Sequence, residues 1–222
     1  MAVAQTLRLA HRGDHRHARE DSLAALLAAM DVPGCDGVEF DVRASSDGVP
    51  VLLHDPTLER VQGRPEAVGE LTADELDRLG VPRLADVLEA LPRRAFLDVE
   101  LKEPFGRPLI EILAAGRGPE IINTVVSSFD PATIARIRDL VPTWPCWLIA
   151  RDMEPATIAT AEELGCVGIA AQWRAINTAG MAAARNASLA VMAWTVTRRS
   201  TYARLVQLGV AAICVEGEAL EG

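Results

Sequence analysis

Residues 38–61 read VEFDVRASSDGVPVLLHDPTLERV. Two runs within this stretch, VEFDV and VPVLLH, have the β-branched and apolar content of strands. SSDG lies between them, and only about seven residues separate the two runs, fewer than the dozen or so that a parallel crossover needs. A hairpin turning near Asp47–Gly48 is therefore expected. Pairing outward from that turn sets His54 roughly opposite Phe40 and Asp41. Glu39 and Asp41, two positions apart, share one face of the first strand. The return strand thus brings a histidine back to the place where two carboxylates leave the sheet.

Outward from this hairpin, short strand-like runs alternate with helical patterns. Strands are expected at 7–11, 37–42, 95–101, 123–129, 145–149, 167–171, 190–196 and 211–215. Helices are expected over Ser22–Met30, with Asp21 or Ser22 as cap, and over Pro131–Leu140, Pro155–Leu164, Ala175–Asn186 and Arg199–Leu208. In LGCVGI and LGVAAI a glycine stands between helix and strand, as a left-handed C-cap requires. Eight βα units in a chain of 222 residues fit a compact (β/α)8 TIM barrel, with the hairpin as an extension of strand two. The competing fold is an open doubly wound sheet. That fold would want a glycine-rich phosphate loop after an early strand, and the sequence contains no GxGxxG or Walker-type loop.

A net charge of −9 argues against nucleic acid as a partner and against adsorption to an anionic membrane. The four cysteines, Cys35, Cys146, Cys166 and Cys214, form no CxxC pair, so small buried residues in a reducing compartment are expected rather than disulfides or structural zinc. No apolar run approaches the roughly 20 residues of a membrane span, and MAVAQTLRLAHRG lacks a secretory h-region. A cytoplasmic protein is the expectation. The oligomeric state is not legible in the sequence.

The C-terminal ends of barrel strands carry chemistry. Here they offer His11 and Arg12, then Glu39 and Asp41, then Glu100 and Lys102. Acidic residues pointing into a barrel are costly unless they are paired or hold a cation, and three carboxylates suit Mg2+ or Ca2+ better than zinc. The alternative is a set of ion pairs, Glu100 with Lys102 and Asp41 with Arg43; two histidines at the same rim favour the metal. His15 and His17 form an HxH in a loop with no third zinc ligand nearby, and are expected to be solvated. Trp194 and Phe129 are either core residues or walls of a pocket, and Trp144, Trp147 and Trp173 packing or rim residues.

At this point the sequence resembles the glycerophosphodiester phosphodiesterases. HRG at 11–13, RED at 19–21, the whole of 38–61, LDVELK at 97–102, VSSFDP at 126–131 and WTV at 194–196 follow that family's pattern in order. The resemblance implies a phospholipase-C-like barrel over 1–222 as a single domain, with a short insertion at about 55–82. It implies His11 and His54 as the acid–base pair and Glu39, Asp41 and Glu100 as ligands of a divalent ion, Mg2+ or Ca2+. Arg12 and Lys102 would face the phosphate, Glu20 would support the site, and Trp194 and Phe129 would wall the pocket. The substrate implied is a glycerophosphodiester; a lysophospholipid, another phosphodiester, or a catalytically silent phosphodiester-binding barrel are the alternatives. Attack by a neighbouring hydroxyl to give a cyclic phosphate and direct attack by water both remain open. Three departures from the pattern bear on the substrate pocket: Arg19-Glu20-Asp21 for Pro-Glu-Asn, Glu216 for a usual aspartate, and Thr197 for a common asparagine.

Overall fold

The computed structural model describes residues 5–221. Eight parallel strands close on themselves: β1 (Leu7–His11), β2 (Gly37–Ala44), β4 (Phe96–Leu101), β5 (Thr124–Ser128), β6 (Cys146–Ala150), β7 (Gly168–Gln172), β8 (Ala190–Val196) and β9 (Ala212–Val215). The β1–β2 and β1–β9 pairings complete the cylinder. The ninth strand, β3 (Pro50–Leu52), pairs antiparallel with β2 in the register Val42↔Leu52, Arg43↔Val51 and Ala44↔Pro50. Strand two therefore overshoots the barrel and returns, as SSDG requires. The return strand is shorter than expected; on its outer side Val51 bridges Arg83, and Leu53 still donates its N–H to the Asp41 carbonyl at 3.0 Å.

The crossovers follow their local sequence. Ser22 caps α1 (Leu23–Met30) by accepting from the Ala25 N–H at 3.2 Å. Asp130 caps α6 (Pro131–Leu140) through the N–H groups of Ala132 and Thr133, with Pro131 preset in the first turn. The helix expected from Ala175 begins instead at Thr178, because the Asn177 side chain accepts from Gly180 and stops the chain there. Gly209 ends α9 (Arg199–Leu208) in the left-handed conformation.

Two apolar layers hold the barrel. Inside it, Leu9, Val125, Trp147, Ile149, Ala170, Met192 and Cys214 fill the lower interior, and Phe96 stacks on Trp147 with ring centroids 6.0 Å apart. Outside, a larger layer including Phe40, Val99, Leu109, Ile134 and Trp144 seals strands to helices. Strand contact is so close at Gly37 that a Cβ there would lie 1.9 Å from the Phe96 carbonyl oxygen, so Gly37→Ala should break the β2–β4 pairing. Residues 55–82 carry α2 (Glu59–Gln62), a 3-10 turn and α3 (Ala73–Arg78), whose capping box joins Thr72 and Glu75. They enclose a small core of their own, built on Leu53, Leu58, Val68, Leu76 and Val81. No helix of the described residues is long and apolar enough to cross a membrane. The four cysteines are free thiols.

Candidate active site

The parallel register β2–β4 sets Glu39 beside Asp98 and Asp41 beside Glu100. Because side chains alternate along a strand, all four carboxylates point to the barrel axis. Ligand oxygens of Glu39, Asp41 and Glu100 lie within 4.8 Å of one another, and all three side chains are buried. Such a cluster is unstable without positive charge. Two cations meet Asp41: Lys102 Nζ at 2.7 Å and Arg12 Nε at 2.9 Å. Lys102 also hydrogen-bonds Glu100. Burial is the first cause that drives the Glu100 pKa up to about 7, with Asp41 adding to it, and it raises Asp98 to about 7 as well. Glu39 is pushed well above the ordinary carboxylate range by burial and then by its acidic neighbours.

A divalent ion fits this cluster. The donors are all oxygen, and Glu39 Oε1 is buried with no hydrogen-bond partner in the protein. The simple ion-pair alternative holds only in half: Glu100 pairs with Lys102, but Arg43 turns away from Asp41. Its guanidinium donates to the His54 carbonyl at 2.7 and 2.9 Å and approaches Glu103.

The HRG motif has a backbone reason. Arg12 and Gly13 both sit at positive φ, 56° and 81°, so the chain turns sharply off β1. A Cβ on Gly13 would lie 2.5 Å from the Ala25 carbonyl carbon, so only glycine permits this closeness to α1. The turn throws Arg12 over Asp41 and leaves His11 at the rim, its Nε2 3.7 Å from Glu39. His54 lines the same cavity, its Nδ1 2.6 Å from Asp55. Burial holds the His54 pKa below its ordinary value, with Arg12 and Lys102 acting in the same direction. From Asp55 the polar network runs to Arg60, from Arg60 to Glu20, and from Glu20 to Arg12 at 2.8 Å. Glu20 thus bridges Arg12 and Arg60, and so ties the 55–82 segment to the barrel.

One cavity of about 220 Å³ brings together His11, Arg12, Glu39, His54, Glu100 and Lys102 on one side and Phe129 and Trp194 on the other. Trp194 is fixed by its indole N–H, which donates to the Ala170 carbonyl at 2.8 Å. Both aromatic residues are thus pocket walls. Trp144 is buried in the outer layer and Trp147 in the inner one.

Four further residues enter the site that sequence reasoning did not single out for it. Asp98 was legible as the position two before Glu100 on the same strand. Asp55 directly follows His54. Arg151, just past the end of β6, carried no motif. Glu216, a departure from the family pattern in sequence, hydrogen-bonds His11 Nδ1. His15 also differs from expectation, since its Nε2 comes to 3.7 Å from the same Glu216 carboxylate, whereas His17 is exposed. Asp21, standing for an asparagine, is buried beside Asp41; burial and that neighbour raise its pKa well above the usual range.

The model of the glycerophosphoryl diester phosphodiesterase family matches residues 11–217. A glycerophosphodiester phosphodiesterase of Caldanaerobacter subterraneus subsp. tengcongensis is 24% identical over 242 residues, covering 96% of this chain and 94% of that protein. A crystal structure of a glycerophosphodiester phosphodiesterase from Thermotoga maritima superposes with a TM-score of 0.81 at 22% identity, over 97% of this chain and 96% of that one. An Oleispira antarctica phosphodiesterase, solved with its product sn-glycerol-3-phosphate, superposes with a TM-score of 0.79 at 24% identity, over 95% and 93%. At these identities the solved structures speak for the barrel; the match over residues 11–217 speaks for the family.

Proposed function

The chain belongs to the glycerophosphoryl diester phosphodiesterase family, a family of phosphoric diester hydrolases, and from that premise we propose that it cleaves glycerophosphodiesters to glycerol phosphate and an alcohol. In this reading the chain is one barrel domain with 55–82 as an insertion. Glu39, Asp41 and Glu100 hold Mg2+ or Ca2+, and His11 and His54 are the acid–base pair. The observation that carries the reading is the cluster of buried Glu39, Asp41 and Glu100 at a cavity that His11, His54, Arg12 and Lys102 line.

A phosphodiester is an unreactive anion, so its hydrolysis needs charge neutralisation and protonation of a poor leaving group. When bound, the divalent ion supplies Lewis-acid stabilisation of the phosphoryl oxygens. Arg12 and Lys102, which pair with Asp41 at the edge of the cavity, would supply positive charge for the phosphate. His54, kept neutral by its surroundings, is suited to take the proton of the attacking hydroxyl or water. His11, whose Nδ1 is held by Glu216, presents Nε2 toward the cavity and is suited to deliver a proton to the leaving oxygen. Glu216 fixes the orientation of the His11 ring, as a carboxylate does in a catalytic triad.

Of the large apolar side chains exposed among the described residues, only Phe129 lines this cavity. That favours a polar diester over a lysophospholipid, whose acyl chain would need an apolar ridge. The test is direct. Glycerophosphocholine and glycerophosphoglycerol are incubated with the enzyme in Mg2+, in Ca2+ or in EDTA, and glycerol phosphate is measured. Release that depends on the ion is expected. No release from either substrate with either ion would overturn the reading.

A further inference from the structure

The active-site cavity has a second chemical face. Away from the carboxylates its wall is formed by Phe129 and Trp194, whose rings meet edge to face with centroids 5.4 Å apart. Arg151 lines the same cavity, and its guanidinium carbon lies 5.8 Å from the centre of the Phe129 ring. A neighbouring hollow, lined in part by Arg174 and Arg198, meets the cavity at Thr195, which borders both.

These three arginines stand out in a chain of net charge −9. All three are exposed, and every ion pair among the described residues lies elsewhere. Asp152, the nearest acid in sequence to Arg151, is already engaged: its Oδ1 accepts from the Thr157 hydroxyl at 2.5 Å and from the Glu154 N–H at 3.1 Å. An aromatic wall of this kind would suit a quaternary ammonium, but a cation already sits over Phe129. A choline head group would meet like charge there, whereas a phosphate would meet a guanidinium free to bind it.

We propose that this basic side of the barrel mouth is a subsite for a second anionic group on the substrate. The enzyme then favours glycerophosphodiesters whose alcohol carries a phosphate or a further phosphodiester over those carrying choline or ethanolamine. This substrate preference rests on the hydrolytic reading above; the subsite itself does not.

The test compares wild type, Arg151→Gln and the double variant Arg174→Gln/Arg198→Gln. The kcat/KM for bis(glycerophospho)glycerol is divided by that for glycerophosphocholine. In wild type this ratio should exceed one and fall with added salt. Each variant should lower it by about two- to fivefold, the range for an exposed charge pair. A wild-type ratio at or below one, or the same ratio in all three proteins, overturns the subsite. Equilibrium binding of 1,3-propanediol bisphosphate against glycerol 3-phosphate, neither of which has a diester to cleave, separates the two ideas. Tighter binding of the bisphosphate in wild type, lost in the variants, upholds the subsite even if no diester is turned over. Equal binding in all three proteins overturns it even if turnover is fast.

Discussion

Lys102→Met removes the ammonium that holds the metal-free carboxylates together while keeping most of the apolar stem. Lys102 Nζ lies 2.7 Å from Asp41 Oδ1, and the two side chains are 11% and 0% exposed. Deleting one partner of a buried pair costs about 3–5 kcal/mol, because the remaining charge is left uncompensated. Asp41 keeps Arg12 at 2.9 Å, so the lower end, about 3 kcal/mol, applies. A chain of this size loses about 2–4 °C of Tm per kcal/mol, so a fall of about 6–12 °C is expected in EDTA. An ion present at a hundred times its Kd contributes about 2.7 kcal/mol. It would replace the missing charge, and in the variant it no longer competes with an ammonium for the same oxygens. Thermal melts across a Mg2+ or Ca2+ titration should therefore show a larger ion-induced rise for Lys102→Met than for wild type. Equal melting points in EDTA, or identical ion-induced shifts, would refute the reasoning.

His11→Ala and His54→Ala should each lower turnover by about 10²–10⁴-fold, and His17→Ala should stay within a few-fold of wild type; steady-state kinetics on one glycerophosphodiester decide, and near-wild-type activity of His54→Ala would remove it from the acid–base pair. Glu216→Gln should lower kcat by about ten- to a hundredfold, as expected for a residue that orients another; an unchanged kcat would separate Glu216 from the chemistry. The pH dependence of stability carries a signature of His15, whose pKa is raised chiefly by its hydrogen bond to Glu216. A histidine raised on folding adds stability that is fully present below its unfolded pKa of about 6.5 and is lost as pH rises through the higher folded value. His15→Asn should flatten the Tm–pH curve in that window, and a curve parallel to wild type would show that the contact contributes nothing.

The barrel was legible because each strand and crossover carries its own local signal. Alternating apolar runs mark the strands, Ser22 and Asp130 mark helix starts, and Gly165 and Gly209 mark helix ends. The hairpin register was legible too, since a turn at Asp47–Gly48 leaves one in-phase pairing that keeps Val42 and Leu52 in the core. The site was legible wherever strand alternation aims residues inward, as for Glu39, Asp41 and Glu100. What stayed hidden depends on approaches between distant segments. Glu216 reaches His11 only because β9 closes against β1, a contact spanning 205 positions. Arg60 reaches Glu20 only because the 55–82 segment folds back over the rim. Local pattern carries no record of either, and the left-handed turn at Arg12 that carries its guanidinium to Asp41 is likewise visible only in the backbone.

The most direct measurement is anomalous diffraction from crystals soaked in Mn2+, used as a visible stand-in for Mg2+. One peak is expected, bounded by oxygens of Glu39, Asp41 and Glu100 at roughly the 2.0–2.6 Å typical of hard divalent ions. A peak at His15 and His17 instead, or no peak among the three carboxylates in an enzyme that keeps full activity in excess EDTA, would contradict the metal-dependent mechanism.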